Sequence, residues 1–278
     1  MTDSAEFADR YGPWALILGA SEGVGAEFAR TFAARGLNVV LLSRRPEALE
    51  EVAAEIRSRG DVETRILAVD LSAPDAMEII TEGTADLEIG TVVYCAGADP
   101  NFRPFLDNPV ETAVGLVQRN CITNMRVCHH FAHGMVERGR GALILMSSAA
   151  GLRGGANMVA YGASKAFDMV MAEGLWAELK PHGVDVLSLV VGRTDTPALR
   201  RLLFARGAID SLDADVPGLA TPASVVAEAL DNMADGPTHL VGEQLQQAWR
   251  EMTSMTRSEA VREAAARQAS FAAATRSS

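Results

Sequence analysis

Tyr161 and Lys165 are spaced so that both can serve one proton transfer. They stand four positions apart in Tyr-Gly-Ala-Ser-Lys, which puts them on the same face of a helix. A free tyrosine has a pKa of about 10, too high for efficient acid–base work near neutrality, but a nearby ammonium stabilises the phenolate. Ser148 ends an apolar run 13 positions before Tyr161, where its hydroxyl can hydrogen-bond a substrate oxygen whose charge changes.

A glycine-rich turn near the start of the chain is suited to a phosphate. It runs Gly19-Ala20-Ser21-Glu22-Gly23-Val24-Gly25, directly after an apolar run and before an amphipathic stretch. Glycines allow a sharp turn and close approach to a pyrophosphate, which the free N–H groups and positive end of the following helix then hold. A glycine cluster alone is weak evidence, but a first strand-to-helix junction is the context that a dinucleotide site requires.

The second apolar run ends in Ser43-Arg44-Arg45, which bears on the choice of dinucleotide. A hydroxyl and two guanidinium groups suit the 2′-phosphate of NADP, whereas an acidic residue there would favour NAD. Alternatively, Arg44 and Arg45 simply begin a solvated helix, and a Glu22 carboxylate pointing inward would oppose a phosphate. The sequence favours NADP(H) as the cofactor, with NAD as the alternative.

The elements that must position these residues alternate between short apolar runs and amphipathic stretches. Strands are predicted at 14–18, 39–42, 65–69, 91–94, 142–146 and 184–191, with a seventh at 238–241. Helices are predicted at 27–35, 46–59, 110–138, 161–180 and 222–234. This order implies right-handed crossovers. It predicts an α/β fold: a Rossmann-like, doubly wound parallel sheet with helices on both faces.

The pattern loosens after the sixth predicted strand. We expect one domain over residues 1–278, in which residues 194–222 form a mobile lid over the substrate and residues 244–278 form a C-terminal helical extension. The lid segment contains Leu199, Leu202, Leu203 and Phe204. The substrate is therefore expected to be at least partly apolar.

Composition and charge exclude several classes of protein. Of the 278 residues 48% are hydrophobic, and the net charge is -11, which argues against nucleic-acid binding and predicts solubility. No apolar stretch approaches the roughly 20 residues of a membrane span, and the N-terminus has no signal-peptide pattern. Three cysteines without a CxxC pair fit reduced thiols. We expect a cytoplasmic protein that acts on a small molecule.

A histidine-rich stretch invites a metal-site interpretation that we do not favour. It contains Cys128, His129, His130 and His133, and His129 and His133 share a helical face. No carboxylate lies between them, and no other paired Cys or His follows. A helix surface or subunit contact is the preferred interpretation, so no metal is predicted.

Taken together, the order of these motifs resembles the short-chain dehydrogenase/reductase family, from about Trp14 to Val241. The matching pieces are the glycine turn, Asp70-Leu71, Ala96-Gly97, Asn120, Ser147-Ser148, Tyr161 to Lys165, and Gly192 with Thr196. The resemblance implies a single-domain enzyme that moves a hydride between a nicotinamide and a carbonyl or secondary alcohol. It also implies a homodimer or homotetramer.

The resemblance further implies the roles of individual residues. It gives a catalytic tetrad of Asn120, Ser148, Tyr161 and Lys165. Tyrosine is the acid or base, serine orients the carbonyl, lysine lowers the tyrosine pKa and binds the nicotinamide ribose, and asparagine helps hold a water that relays protons. The implied cofactor contacts beyond the glycine turn and Ser43 to Arg45 are Asp70, Leu71, Cys95, Ala96, Gly97, Tyr161, Lys165, Val191, Gly192, Thr194 and Thr196.

Four positions depart from the family pattern. Leu18 stands where a threonine is usual, Tyr94 and Cys95 replace two asparagines, and Val191 replaces a proline before Gly192. In the family, the threonine hydroxyl helps tie the first strand to the turn after the fourth. Our hypothesis is that packing substitutes for this hydrogen bond here, so that restoring Thr at position 18 alone does not stabilise the protein.

The favoured function is an NADP(H)-dependent carbonyl reductase or alcohol dehydrogenase acting on a ketone, a steroid-like molecule or a 3-oxoacyl group. One alternative is a nucleotide sensor or scaffold that binds cofactor without turnover, although such a protein would not need Ser148 or Tyr161. Another is an enzyme of the same fold that catalyses enoyl reduction, dehydration or epimerisation. The spacing of Tyr161, Lys165 and Ser148 favours carbonyl chemistry over enoyl reduction.

Overall fold

Seven parallel strands form one sheet in the computed structural model, which describes residues 4–99 and 101–276. They are β1 (Trp14–Leu18), β2 (Asn38–Ser43), β3 (Thr64–Ala68), β4 (Ile89–Tyr94), β5 (Gly141–Ser148), β6 (Val184–Val191) and β7 (Thr238–Leu240). Their spatial order is β3-β2-β1-β4-β5-β6-β7. The predicted Rossmann-like, doubly wound α/β fold is confirmed.

Eleven α-helices connect and flank these strands within the described residues. They are α1 (Ser4–Tyr11), α2 (Gly23–Ala34), α3 (Pro46–Arg57), α4 (Ala76–Gly83), α5 (Val110–Val117), α6 (Asn124–Arg138), α7 (Val159–Leu179), α8 (Pro197–Ala205), α9 (Pro222–Asn232), α10 (Glu243–Thr253) and α11 (Arg257–Arg276). The helix expected over 110–138 is interrupted by a π-helical turn at 118–123. Helices α1, α4 and α8 were not among the helices predicted from the sequence.

Side chains that alternate along the strands bury both faces of the sheet. Ala15 and Ile17 point into a core shared with α2, α3 and α9, whereas Leu16 and Leu18 point into a core shared with α4, α6 and α7. Successive strand residues face opposite sides of a sheet, so a continuous apolar run satisfies two cores at once. These two layers confirm that helices cover both faces.

The polar segments predicted to carry chemistry follow the carboxyl ends of the strands. Strand β1 pairs with β2 on one side and with β4 on the other, so the chain winds outward in both directions from this point. A crevice opens there at the carboxyl ends of the strands, and ligands of such folds bind in it. No helix among the described residues is long and apolar enough to span a bilayer.

The C-terminal helices pack beside this carboxyl edge. Met252 of α10 and Ala260 of α11 form a small buried cluster with Leu152 and Val190. Arg257 donates a hydrogen bond to the Leu152 carbonyl at 3.5 Å. Helix α10 and the start of α11 therefore contact the segment between β5 and α7.

Candidate active site

The glycine turn between β1 and α2 forms a cradle too tight for side chains. A Cβ atom on Gly25 would lie 2.1 Å from the Gly19 carbonyl oxygen, so the first turn of α2 packs directly on the loop. Glu22 precedes α2 in an extended conformation, and its side chain does not cap the helix. The first N–H groups of α2 are therefore free of side-chain acceptors, and they fit a pyrophosphate.

Glu22 joins the glycine turn to two arginines. Its carboxylate lies 2.8 Å from Arg45, which follows β2, and 2.6 Å from Arg201 of α8. Arg45 also donates to the Ser21 hydroxyl at 2.9 Å. Partial burial opposes the charged form of Glu22, but the hydrogen bonds from Arg201 and Arg45 outweigh it and hold the pKa of Glu22 below its ordinary value. The carboxylate is thus charged and already paired.

Arg44 and Asp70 face each other beside this group. Their charged atoms lie 4.0 Å apart, and both side chains are largely exposed. The Asp70 carboxylate accepts the backbone N–H of Ser72 at 2.9 Å, which fixes the turn after β3. The adjoining Leu71 carbonyl accepts the hydroxyl of Thr123 at 2.8 Å. The predicted adenosine-side residues therefore border one edge of the crevice.

The π-helical turn sets the direction of Asn120. Its amide donates to the Gly97 carbonyl at 3.2 Å and to the Ser164 hydroxyl at 2.9 Å, and the side chain is fully buried. A Cβ on Gly97 would lie 2.7 Å from the Asn120 amide oxygen, so only glycine fits there. An inserted π turn re-aims a side chain without ending the helix, and such turns are frequent at functional sites. Asn120 thereby bridges the segment after β4 and helix α7.

Strand β5 delivers Ser148 to the same edge. The Ser148 oxygen accepts the N–H of Ala150 at 3.2 Å, which leaves its own hydroxyl proton for another acceptor. The neighbouring Ser147 hydroxyl donates to the Lys165 carbonyl at 2.7 Å. The end of β5 is therefore fixed against α7.

Lys165 is a buried cation with two fixed partners. Its ammonium donates to the Met146 carbonyl at 2.7 Å and to the Asp168 carboxylate at 2.9 Å. Burial works against the charge, but the Asp168 carboxylate and Tyr161 outweigh it, and the pKa of Lys165 lies above its ordinary value. An ammonium has three donors, so one N–H of Lys165 stays available to a ligand.

Tyr161 lies one helical turn before Lys165 and lines a cleft. The other lining side chains are chiefly apolar and come from the segment between β4 and α5, from α5 and from the start of α7. They include Phe105, Val110, Leu116 and Val159. Arg103 and Asp99 also border the cleft. An apolar wall with a few polar groups beside a proton donor is the usual composition of a small-molecule site.

The segment predicted as a lid folds over the crevice and contains α8. Its ends meet where the Asp195 N–H donates to the Ala220 carbonyl at 2.8 Å. Thr196 caps α8 by accepting the Leu199 N–H at 3.2 Å. A Cβ on Gly23 would lie 2.9 Å from the Thr196 methyl carbon. Thr196 is therefore placed directly against the glycine turn.

Arg206, just beyond α8, ties this segment to the opposite wall. It donates to the carbonyls of Asn101 and Phe102 at 3.3 and 3.1 Å, and its guanidinium lies 4.2 Å from the Phe102 ring centre. Arg201 ties the same helix to Glu22 on the cofactor side. Helix α8 consequently spans the crevice from one wall to the other.

The remaining predicted contacts follow β4 and β6. Cys95, Ala96 and Gly97 follow β4, whereas Gly192 and Thr194 follow Val191, the last residue of β6. Gly19, Ser21 and Glu22 lie in the turn after β1, Gly23, Val24 and Gly25 form the start of α2, and Ser43, Arg44 and Arg45 lie at the end of β2. The Val24 side chain itself packs into the core. The predicted site residues thus meet along one edge of the sheet.

The histidine-rich stretch lies on α6. The rings of His129 and His133 are 4.8 Å apart, and both side chains are exposed. Among residues 4–99 and 101–276 there is no group of three or more His, Cys, Asp or Glu that could hold a metal ion.

Two residues that contact the predicted site were missed in the sequence. Asp168 follows Lys165 by three positions, and this helical spacing was the available signal. Arg201 lies 179 positions from Glu22, so no local pattern connects them.

Comparisons with known proteins agree with this geometry. The family model described as short chain dehydrogenase matches residues 13–204. A 7beta-hydroxysteroid dehydrogenase of Collinsella aerofaciens is 38% identical over 191 residues, which make up 69% of this chain and 72% of that protein. A solved structure of a 7beta-hydroxysteroid dehydrogenase is 32% identical and superposes with a TM-score of 0.83, covering 92% of this chain and 98% of that one.

A second solved structure bears on the cofactor. It is a short-chain dehydrogenase from Sphingobium yanoikuyae in complex with NADPH, 27% identical, with a TM-score of 0.76 over 87% of this chain and 93% of that one. The family match covers well over half of the residues and includes the glycine turn and Tyr161 to Lys165. The chain belongs to the short chain dehydrogenase family and is an NAD(P)-dependent oxidoreductase.

Proposed function

We propose that the protein interconverts a partly apolar ketone and its secondary alcohol with NADP(H), using Tyr161 as proton donor and acceptor. One observation carries this proposal. Tyr161 opens on an apolar cleft, while Lys165, one turn further along α7, is buried behind it with a fixed charge. Helix α7 thus carries both the tyrosine that lines the substrate cleft and the ammonium that would lower the tyrosine pKa.

The glycine turn and the start of α2 would hold the pyrophosphate, and Val191 to Thr196 would border the nicotinamide. When bound, the nicotinamide supplies the hydride chemistry. The free N–H of Lys165 would hold the ribose. These residues would hold the nicotinamide and the substrate in a fixed mutual orientation. In favourable cases such orientation lowers an activation barrier by roughly 7–11 kcal/mol.

Proton movement belongs to the protein's own side chains. As a carbonyl oxygen gains negative charge, the Ser148 hydroxyl donates a hydrogen bond to it and Tyr161 delivers the proton. In the reverse direction Tyr161 takes the proton from the alcohol. Asn120, held by Gly97 and Ser164, would keep a water in line for the exchange of this proton with solvent.

A preference for NADP(H) follows from the charges after β2. Arg44 and Arg45 bring two guanidinium groups, and Ser43 brings a hydroxyl. A free Glu22 carboxylate would repel the 2′-phosphate of NADP. Arg45 and Arg201 both pair with this carboxylate, which offsets its charge. The local charge therefore remains positive: three arginines against Glu22 and Asp70.

The apolar lining of the cleft supports an apolar substrate, since its walls offer aromatic and branched aliphatic surface. Several relatives that the chain matches over most of their length are 7beta-hydroxysteroid dehydrogenases. We include steroid-like ketones and 3-oxoacyl groups in the substrate class. Residues 194–222 would act as the lid that opens to admit the substrate.

We also propose a cytoplasmic homodimer or homotetramer. Exposed apolar side chains occur on α5, α6 and α7, among them Val114, Val117, Met125 and Val170. Such side chains favour a subunit contact when they form one continuous patch. Analytical ultracentrifugation measures the oligomeric state directly.

The test is NADPH oxidation against a panel of steroid ketones, 3-oxoacyl thioesters, aryl ketones, diketones and quinones, with NADH in parallel. We expect turnover of a bulky ketone with NADPH preferred. In Tyr161→Phe we expect activity to fall by at least about 100-fold, the contribution of general acid–base catalysis, while NADPH fluorescence still reports binding.

Substantial activity in Tyr161→Phe would contradict the assigned mechanism. Tight NADPH binding with no turnover across the panel would instead favour a sensor or scaffold. His182→Ala, at an exposed side chain between α7 and β6, is the control variant for turnover.

A further inference from the structure

Behind Tyr161, Lys165 begins a buried chain of polar side chains whose other members have no assigned role in the family mechanism. Lys165 pairs with Asp168 at 2.9 Å, and the other Asp168 oxygen accepts the Asn124 amide at 2.9 Å. The Asn124 oxygen in turn accepts the Cys128 thiol at 3.5 Å. Asn124, Cys128 and Asp168 are each 1% exposed and Lys165 is 3% exposed, so water does not screen this chain.

Such a chain is costly unless it serves the site. An ammonium removed from water loses its proton readily unless a partner compensates. Asp168 is that partner, and Asn124 fixes the carboxylate from the adjacent helix. The same carboxylate also offsets part of the positive field of Lys165 at Tyr161. Asp168 therefore acts on the tyrosine through the lysine.

We propose that Asp168 is a positioning residue which, anchored by Asn124, keeps Lys165 charged and aimed and so sets the alkaline limit of catalysis. This inference rests on the proposed role of Tyr161. The other titratable groups around the pair are Tyr161 on α7, Tyr94 on β4, Cys95 after β4, Cys121 in the π turn and Cys128 on α6. Burial raises the pKa of Tyr94 and of the three cysteine thiols, so these four groups carry no charge near neutral pH.

The decisive variant is Asp168→Asn, which keeps the shape and removes the charge. We expect the descending alkaline limb of the pH profile for alcohol oxidation to move down by about 1–3 pH units, the shift that an adjacent opposite charge produces. Asp168→Glu restores the carboxylate, so its alkaline limb should return toward the pH of the wild-type limb. A profile of unchanged shape, merely scaled down, would overturn the proposal.

A second readout uses the protein without cofactor or substrate. The pKa of Lys165 is raised in the fold, so the stability from this pair is present at neutral pH and is lost as pH rises through that pKa. In Asp168→Asn the buried ammonium of Lys165 has no carboxylate partner, which lowers the stability of the fold. This loss shrinks as rising pH removes the proton from Lys165. The Tm gap to wild type should therefore narrow between pH 7 and pH 10.

Asp185→Asn is the matched control. Asp185 is also buried and also pairs with a lysine, Lys180, at 2.9 Å, but at the amino end of β6. Lys180 is 38% exposed, so water solvates its ammonium when Asp185 is absent. The difference in Tm between Asp185→Asn and wild type should stay constant between pH 7 and pH 10. The pH profile of Asp185→Asn for alcohol oxidation should match that of wild type. An equally constant gap in Asp168→Asn would show that Asp168 is structural only.

Two further outcomes separate the possible failures. If Asp168→Asn does not fold, Asn124→Ala replaces it: the charge stays and the anchor is lost, so kcat should fall several-fold with the alkaline limb unmoved. An unchanged kcat would contradict the proposal that Asn124 anchors the Asp168 carboxylate. If Tyr161→Phe proves active, the mechanism fails, but the Tm comparison still decides whether Asp168 sustains the charge of Lys165.

Discussion

Glu22 shows how one residue can serve two walls of a site. It precedes the helix that would hold the pyrophosphate, yet its carboxylate also receives Arg45 from the end of β2 and Arg201 from α8. A carboxylate near a 2′-phosphate repels it unless cations neutralise the carboxylate first. Arg201, a residue of the substrate-side segment, thereby bears on the choice of cofactor.

Arg201→Ala should weaken NADPH binding about two- to fivefold and NADH binding less, because exposed ion pairs contribute up to about 1 kcal/mol. Without Arg201, the Glu22 carboxylate pairs with Arg45 alone, so the Arg45 guanidinium is less available to the 2′-phosphate of NADPH. Titration by nucleotide fluorescence measures both dissociation constants. Arg200→Ala is the control on the same helix, since Arg200 pairs with Asp195 instead.

Adding Glu22→Gln to the Arg201→Ala protein should restore NADPH binding, because the repelling charge is then absent. An equal loss for NADH and NADPH would argue against this account and indicate a general displacement of α8.

The candidate catalytic residues could be named from the sequence because proton transfer constrains the types and spacing of Tyr161, Lys165 and Ser148, while Asn120 came from the family resemblance. The structure places all four near the carboxyl ends of the strands. The partners of these residues were not predicted. Asp168 lies at a visible helical spacing, but only packing against α6 shows that its carboxylate is buried with the ammonium.

At the scale of elements, β1 and β4 are joined without the hydroxyl that is usual in the family. The Cys95 N–H donates to the Leu18 carbonyl at 2.9 Å, and the Leu18 side chain is fully buried in the core with α4, α6 and α7. Backbone pairing and apolar packing therefore hold this junction.

Leu18→Thr should lower the free energy of unfolding by about 2–4 kcal/mol, since it leaves a cavity and buries a hydroxyl without a fixed partner. Thermal unfolding of the protein without ligands measures the change. Leu106→Thr, at a side chain that is 91% exposed, is the control and should be near neutral. A higher Tm for Leu18→Thr would contradict the view that packing has replaced the hydrogen bond.

The strands were predictable because apolar runs bounded by turn residues leave few alternatives. Helix α8 was not predicted, although Leu199, Leu202 and Leu203 have helical spacing, because it is only nine residues long and lies in a segment rich in turn residues. None of its side chains is buried in a core. The π-helical turn was also invisible: it inserts one residue into a continuous helical pattern, and its consequence for Asn120 appears only in three dimensions.

On the scale of the whole molecule, the two ends of the strands are used differently. At the amino ends, Asp185 of β6 receives Arg10 at 2.6 Å, Tyr11 at 2.9 Å and Lys180 at 2.9 Å, which fixes α1 against the sheet. At the carboxyl ends, the glycine turn, Ser148 and the segment with α8 are arranged for ligands. Charges at the amino ends support the fold and charges at the carboxyl ends support the chemistry.

This polarity decides how the enzyme should be attached to a solid support. Coupled through a cysteine placed at Ser4 of α1, the molecule turns the mouth of its cleft toward the liquid. Coupled through Arg262→Cys on α11, which packs beside Leu152, it turns that mouth toward the support. Beads carrying equal amounts of each variant should differ severalfold in turnover, with the α1-coupled enzyme faster; equal rates would mean that both orientations leave the cleft open.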